Sequence, residues 1–169
     1  KGAIWFGTSV FGACRFDGET VKWMYEDDLT YVPNGGTFGI RSIFEDKEGS
    51  FWFCNTWHRY IFDLAKTKTS DRLQYQKASG IANKEIFGGD EYIYFSYILE
   101  DNDGNIWMTT WDQGVYKYDG KNIINYSVRE DNKVVNLVSM YKDKKGSLWL
   151  GTLENGAFKF NGDTFEKFN

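Results

Sequence analysis

Asp143-Lys144-Lys145-Gly146-Ser147-Leu148-Trp149-Leu150-Gly151-Thr152-Leu153-Glu154-Asn155-Gly156-Ala157-Phe158-Lys159-Phe160-Asn161-Gly162 decides the fold. It reads as an acidic-to-Gly turn, an apolar run centred on Trp149, a short polar loop, an alternating run and an Asn-Gly turn. Asx-Gly between alternating apolar runs is a strong hairpin signal, because both turn residues must accept positive φ. The same unit recurs upstream. Asp101-Asn102-Asp103-Gly104 precedes Ile106-Trp107-Met108-Thr109-Thr110, and Asp46-Lys47-Glu48-Gly49 precedes Phe51-Trp52-Phe53-Cys54-Asn55-Thr56. Ile4-Trp5-Phe6-Gly7-Thr8 stands at the start with only Lys1-Gly2-Ala3 before it. The tryptophan spacings are 47, 55 and 42 residues, the period of a four-stranded propeller blade.

The second half of the unit repeats too. Alternating strands run at Gly12-Ala13-Cys14-Arg15-Phe16, Gly114-Val115-Tyr116-Lys117-Tyr118 and Gly156-Ala157-Phe158-Lys159-Phe160, each followed by Asp-Gly or Asn-Gly. The second unit departs, with Tyr60-Ile61-Phe62-Asp63-Leu64 and a hairpin replaced by Ala65 to Ser70. Each unit is thus strand a, acidic turn, strand b with Trp, loop, strand c, Asx-Gly turn, strand d. The expected fold is all-β: a single β-propeller domain over residues 1–169, with blades at about 1–28, 39–79, 93–127 and 134–169. The first blade lacks strand a, so fifteen strands are expected. Three closures fit that count: part of a larger ring, a four-bladed ring, or a ring built with a second copy.

Composition agrees with one ordinary domain of 169 residues. Its 32 aromatics (14 Phe, 11 Tyr, 7 Trp) supply faces to bury between stacked blades. A net charge of -4 offers no basic field for nucleic acid, and no run approaches a membrane span. Lys1 opens the chain without Met or a signal peptide, which reads as a processed or excised chain. Cys14 and Cys54 make neither a disulfide framework nor a zinc site and read as buried thiols. No cofactor or metal is expected. Asp101-Asn102-Asp103-Gly104 has Gly at the wrong place for a calcium loop and reads as a hairpin turn.

The pattern Asp-x-x-Gly-x-Leu/Ile-Trp-x-x-Thr-x-x-x-Gly-x-x-Lys/Arg-Phe/Tyr-Asp/Asn-Gly resembles the two-component regulator propeller repeat over nearly the whole chain. That resemblance implies a sensor propeller of a bacterial hybrid two-component system, often glycan-responsive, in the periplasm or at the cell surface. It also implies full propellers with more blades, joined to a membrane segment and a kinase.

Binding is expected on the b–c loops and d–a connections, where the sequence varies most. Trp57 and Trp111 share one slot, flanked by His58, Arg59, Asp112 and Gln113, with Glu154 and Asn155 in the fourth loop. An aromatic platform with convergent polar groups suits a sugar ring, so an oligosaccharide is the expected partner. The competing reading has both tryptophans capping blade ends, with Arg59 over one of the rings. The d–a connections run at about Leu29 to Phe38, Ile81 to Tyr92 and Ser127 to Lys133, and the first two read as ordered turns or lids. Trp23 is expected to pack between blades or at a blade edge. No catalytic residues are expected: His58 is the one histidine, whereas streptogramin-lyase-like propellers need more than one. A structural scaffold that self-associates or binds other regulator domains is the alternative function. A lyase or hydrolase would have to rely on Asp112 and Glu154.

Overall fold

The structure, a computed structural model, describes residues 2–10, 12–29, 39–81 and 93–169. The readings at Thr30 to Phe38 and, beyond Ile81, at 82–92 lie outside the described residues. The fold is all-β; among the described residues fifteen blade strands lie in four antiparallel propeller sheets, the first sheet having three strands. The chain divides into two compact units, Lys1–Tyr94 and Phe95–Asn169.

In the first unit, β1 (Ile4–Gly7), β2 (Ala13–Phe16) and β3 (Val21–Met24) form one blade. β4 (Ile43–Glu45), β5 (Phe51–Phe53), β6 (His58–Phe62) and β7 (Tyr75–Ser79) form the next. Trp5 reaches across to the second blade, its ring centroid 4.7 Å from Phe51 and 4.8 Å from Phe62. Beneath it Met24, Leu29, Phe53, Cys54 and Tyr60 are buried in one core. Trp23 lies on the edge strand β3, stacked on Tyr25 at 5.8 Å, and its carbonyl accepts the Leu73 N–H of the second blade at 3.0 Å.

The second unit repeats the scheme with β8 (Tyr97–Glu100), β9 (Ile106–Thr109), β10 (Val115–Tyr118) and β11 (Ile123–Tyr126). A two-stranded ribbon follows, β12 (Arg129–Glu130) with β13 (Lys133–Val134). The last blade is β14 (Leu137–Lys142), β15 (Leu148–Thr152), β16 (Ala157–Phe160) and β17 (Phe165–Lys167). Trp107 packs 5.0 Å from Phe160 and 6.1 Å from Phe165, the same blade-to-blade contact that Trp5 makes.

The Asp-x-x-Gly-x-x-Trp spacing has a specific cause. Asp101 Oδ1 accepts the backbone N–H groups of Asp103 and Asn105 at 2.9 and 2.8 Å, and Oδ2 accepts the Trp107 indole N–H at 2.7 Å. Asp46 does the same for Glu48, Ser50 and Trp52, and Asp143 for Lys145, Ser147 and Trp149. One carboxylate therefore closes the turn and fixes the core ring six residues on. Gly104, at φ 89°, supplies the left-handed corner. The Asp101 oxygens are thus committed to the turn.

Three local readings change. Residues 64–68 form a one-turn helix, α1 (Leu64–Lys68), capped by Asp63, which accepts the Lys66 N–H at 2.9 Å. His58 and Arg59 belong to strand β6 rather than to a loop. The segment after β11 folds as the β12–β13 hairpin, its turn at Asp131 and Asn132 with φ 48° and 62°. Cys14 and Cys54 are buried free thiols.

Candidate functional site

The loop between strands b and c is built around the repeated threonine. Thr110 Oγ1 donates to the Gly114 carbonyl at 2.9 Å and accepts the Gln113 N–H at 2.9 Å. Thr152 binds Gly156 and Asn155 in the same way at 2.7 and 2.9 Å. Gly114 is required: its φ is 85°, and a Cβ there would lie 2.3 Å from the Tyr126 carbonyl oxygen. The staple turns the residue after Thr110 and Thr152 outward, whereas Thr56 Oγ1 accepts the Ile93 N–H instead and Trp57 after it is half-buried. That slot holds Ser9, Trp57, Trp111 and Leu153.

Backbone bonds set the b–c loops beside the residues that enter the following strand a. Ile40 N–H donates to the Thr8 carbonyl at 2.9 Å, and Thr56 N–H to the Ile93 carbonyl at 3.0 Å. In the second unit Leu137 N–H donates to the Trp111 carbonyl at 2.9 Å, and Leu153 N–H to the Asn136 carbonyl at 3.0 Å. The Asn136-Leu137 peptide therefore lies between two slot residues, Trp111 (43% exposed) and Leu153 (56% exposed). Sequence reading named Trp111 and passed over Leu153. Its shared position after the repeated Thr was the signal.

The structure divides the eight candidates between the units. Trp57, His58 and Arg59 lie in the first. Trp57 stacks on His58 with centroids 4.8 Å apart, and Asn55 Oδ1 accepts its backbone N–H at 3.0 Å. Arg59 pairs with Glu48 at 2.9 Å. His58 Nδ1 is buried, has no hydrogen bond and lies 3.6 Å from Asp28 Oδ2.

Asp28 belongs to a network that sequence reading missed. Lys77 Nζ bonds Glu26 Oε1 at 2.7 Å and Asp28 Oδ2 at 2.6 Å, and Tyr75 OH donates to Glu26 at 2.8 Å. Burial, reinforced by the Glu26 hydrogen bond, pushes the Tyr75 hydroxyl up to about 12. Burial, with Glu26 and Asp28 nearby, pushes the Tyr60 hydroxyl up further. Burial opposes the Lys77 charge, but its bonds to Asp28 and Glu26 outweigh that and raise it. This network clamps the segment after β3 onto the second blade.

Trp111, Asp112, Gln113, Glu154 and Asn155 lie in the second unit. The Gln113 carbonyl accepts from Asn125 Nδ2 at 2.9 Å. Asn155 Nδ2 donates to Glu130 at 2.7 Å, and Glu130 also holds Lys167, so Asn155 anchors the β12–β13 hairpin. The Lys167 and Asn155 bonds hold the Glu130 carboxyl below the usual carboxylate range. Asp112 and Glu154 are exposed and make no ion pair among the described residues. Also among the described residues, no group of three or more His, Cys, Asp or Glu side chains is placed to hold a metal ion, and no helix is long and apolar enough to cross a membrane.

Comparison with known proteins follows the same lines. The two-component regulator propeller family model matches residues 88–112 and 129–154. A comparison with curated proteins gives no match. Among solved structures, the chain is similar to the extracellular domain described as belonging to hybrid two-component system BT4673 of B. thetaiotaomicron. Identity is 26% and the TM-score 0.62, over 98% of this chain and 23% of that one. It is similar in fold to the corresponding domain of BT3049 from the same organism (20% identity, TM-score 0.61, 98% and 22% covered). It is similar in fold to virginiamycin B lyase of Staphylococcus aureus (15% identity, TM-score 0.56, 95% and 49% covered). The chain spans about a quarter of the two hybrid-system domains. Two stretches of the chain, residues 88–112 and 129–154, are thus similar to the two-component regulator propeller repeat, and the Asp-x-x-Gly turn followed by Trp recurs upstream of them at Asp46 to Trp52.

Proposed function

We propose that this chain is a non-catalytic sensor propeller, acting in the periplasm or at the cell surface, that binds an oligosaccharide through its b–c loops and d–a connections. The observation that carries this reading is the slot after the repeated Thr, filled by Trp57, Trp111 and Leu153, with Trp111 and Leu153 exposed. A flat apolar surface takes the C–H face of a sugar, and neighbouring amides and carboxylates take its hydroxyls. Likeness to the extracellular domain of a hybrid two-component system supports a sensing role. The one histidine turns its Nδ1 toward Asp28 in the clamp, which favours binding over catalysis.

The test is intrinsic fluorescence with a panel of oligosaccharides. A saturable change that is lost in Trp111→Ala and weakened in Trp57→Ala supports the reading. A flat response across the panel removes it. A second reading, a scaffold that binds protein, draws on Ile4 and Phe6 of β1, which are 53% and 48% exposed. Self-association detected by mass in solution, and lost in Phe6→Ser, would favour it.

A further inference from the structure

We infer that the open edge of β1 binds an extended segment of a partner polypeptide ending in Asp, in the place where the other blades have strand a. The inference rests on the reading of β1 as a protein-binding edge and names the partner by its chemistry. β1 pairs with β2 alone, whereas its counterparts β5, β9 and β15 each lie between two strands. An unpaired edge is a template for an added strand. Phe6 of β1 is 48% exposed, while its counterparts Phe53, Met108 and Leu150 are buried.

A second observation lies at the start of the strand, where the donors for a carboxylate stand without one. In the second blade Asp46 accepts the Ser50 N–H and the Trp52 indole N–H at 2.8 and 2.9 Å. Asp101 accepts those of Asn105 and Trp107 at 2.8 and 2.7 Å, and Asp143 those of Ser147 and Trp149 at 2.9 and 3.0 Å. The counterparts in the first blade are Ala3 and Trp5. Gly2 already turns the same left-handed corner, at φ 84° against 81°, 89° and 87° for Gly49, Gly104 and Gly146. Among the described residues, the Ala3 N–H and the Trp5 indole N–H have no hydrogen-bond partner. The Ala3 carbonyl is free in the same sense, whereas those of Ser50, Asn105 and Ser147 accept the backbone N–H of the Asp. Two donors and one acceptor are thus set for a single aspartate.

The register of the other blades states what the rest of the segment carries. Opposite the counterparts of Phe6 stand Ile43, Ile98 and Met140. Opposite those of Trp5 stand Phe44, Leu99 and Tyr141, and opposite those of Ile4 stand Glu45, Glu100 and Lys142. The segment therefore reads Ile or Met, a large apolar residue, a charged residue and Asp, antiparallel to β1. A second copy of this chain has none to spare. Residues 43–46, 98–101 and 140–143 are paired inside their own blades, and 24–27 is held by the Met24 pairing and by Tyr75 and Lys77 on Glu26.

The experiment follows the intact chain by ¹⁵N NMR during titration with an acetylated, amidated peptide of residues 95–101, Phe-Ser-Tyr-Ile-Leu-Glu-Asp. Its Asp101→Asn form and a scrambled peptide serve as comparisons. The Ala3 amide and Trp5 indole signals should shift saturably. The Asp peptide should bind about fivefold more tightly than the Asn form, because hydrogen bonds to a carboxylate are the stronger. Trp5→Phe, which keeps a ring and removes the donor, should narrow that gap; the Asn peptide reads the same carboxylate without touching the fold. Equal binding of the scrambled or the Asn peptide overturns the inference. Shifts of the two signals with protein concentration alone give the edge to a second copy, overturning the inference and leaving β1 a protein-binding edge. No response to peptide or to concentration removes both. In a longer chain carrying residues before Lys1, signals that ignore the peptide and are already protected from exchange assign the edge to that preceding segment and overturn the partner.

Discussion

At Asp101 a single carboxylate holds two turn amides and one indole, which is why Asp, rather than any polar residue, opens the repeat. Burial acts against its charge, but the bonds from Trp107, Asn105 and Asp103 outweigh it, so the carboxyl is held below its ordinary value. A depressed acid contributes stability above its unfolded value, about 3.9, and that contribution disappears as pH falls through the lower folded value. Asp101→Asn keeps the shape and loses the charge. It should cost about 1–2 kcal/mol near neutral pH. The gap between wild type and variant should close in strong acid, below about pH 3. Urea unfolding midpoints at the two pH values check this. An equal gap at both would show that the charge contributes nothing.

At the scale of the element, the b–c loop is a staple built from one hydroxyl. Thr110 is buried, and its Oγ1 serves both the Gly114 carbonyl and the Gln113 amide. Thr110→Val preserves volume and removes both bonds, leaving the Gln113 N–H without its partner while the Gly114 carbonyl keeps the Thr110 N–H at 3.0 Å. The expected loss is about 1–3 kcal/mol. Amide exchange should quicken at Gln113 while the β9 amides keep their protection. Uniform quickening along β9 would show that the loop and the strand open together. The second blade solves the same problem differently: Thr56 Oγ1 accepts the Ile93 N–H at 2.9 Å, and α1 replaces the Asx-Gly turn. Blade geometry thus tolerates a changed loop where another backbone partner is within reach.

At the scale of the whole molecule, each compact unit contains two blades and its own aromatic core. Both cysteines lie in the first unit and are buried, and burial raises both thiols, Cys54 despite the Ser42 and Arg41 amides aimed at its sulfur. They should therefore report opening of that unit. The native protein should react with a thiol reagent far more slowly than the unfolded chain, at a rate following the unfolding of residues 1–94. Immediate reaction of either thiol in native buffer would contradict the burial of that cysteine.

The sequence by itself determined the blades, because the covalent spacing of Asp, Gly, Trp and Thr sets each hairpin through contacts within a dozen residues. It also determined that the slots at Trp111 and Leu153 face outward, since the position after Thr110 and Thr152 is fixed by the same local staple. Leu153 is legible at the same slot, aliphatic where Trp57 and Trp111 are aromatic. Only the tertiary structure decided the partners of the polar candidates. Asn155 is held by Glu130, Arg59 by Glu48, and His58 sits beside an Asp28–Lys77–Glu26 clamp. Those contacts join residues 11 to 51 positions apart, in pairs that no repeat spacing predicts. The hairpin at 129–134 and the helix at 64–68 belong to the same class. Each fills a place where the repeat is broken, and its form depends on which neighbouring groups are left to bond.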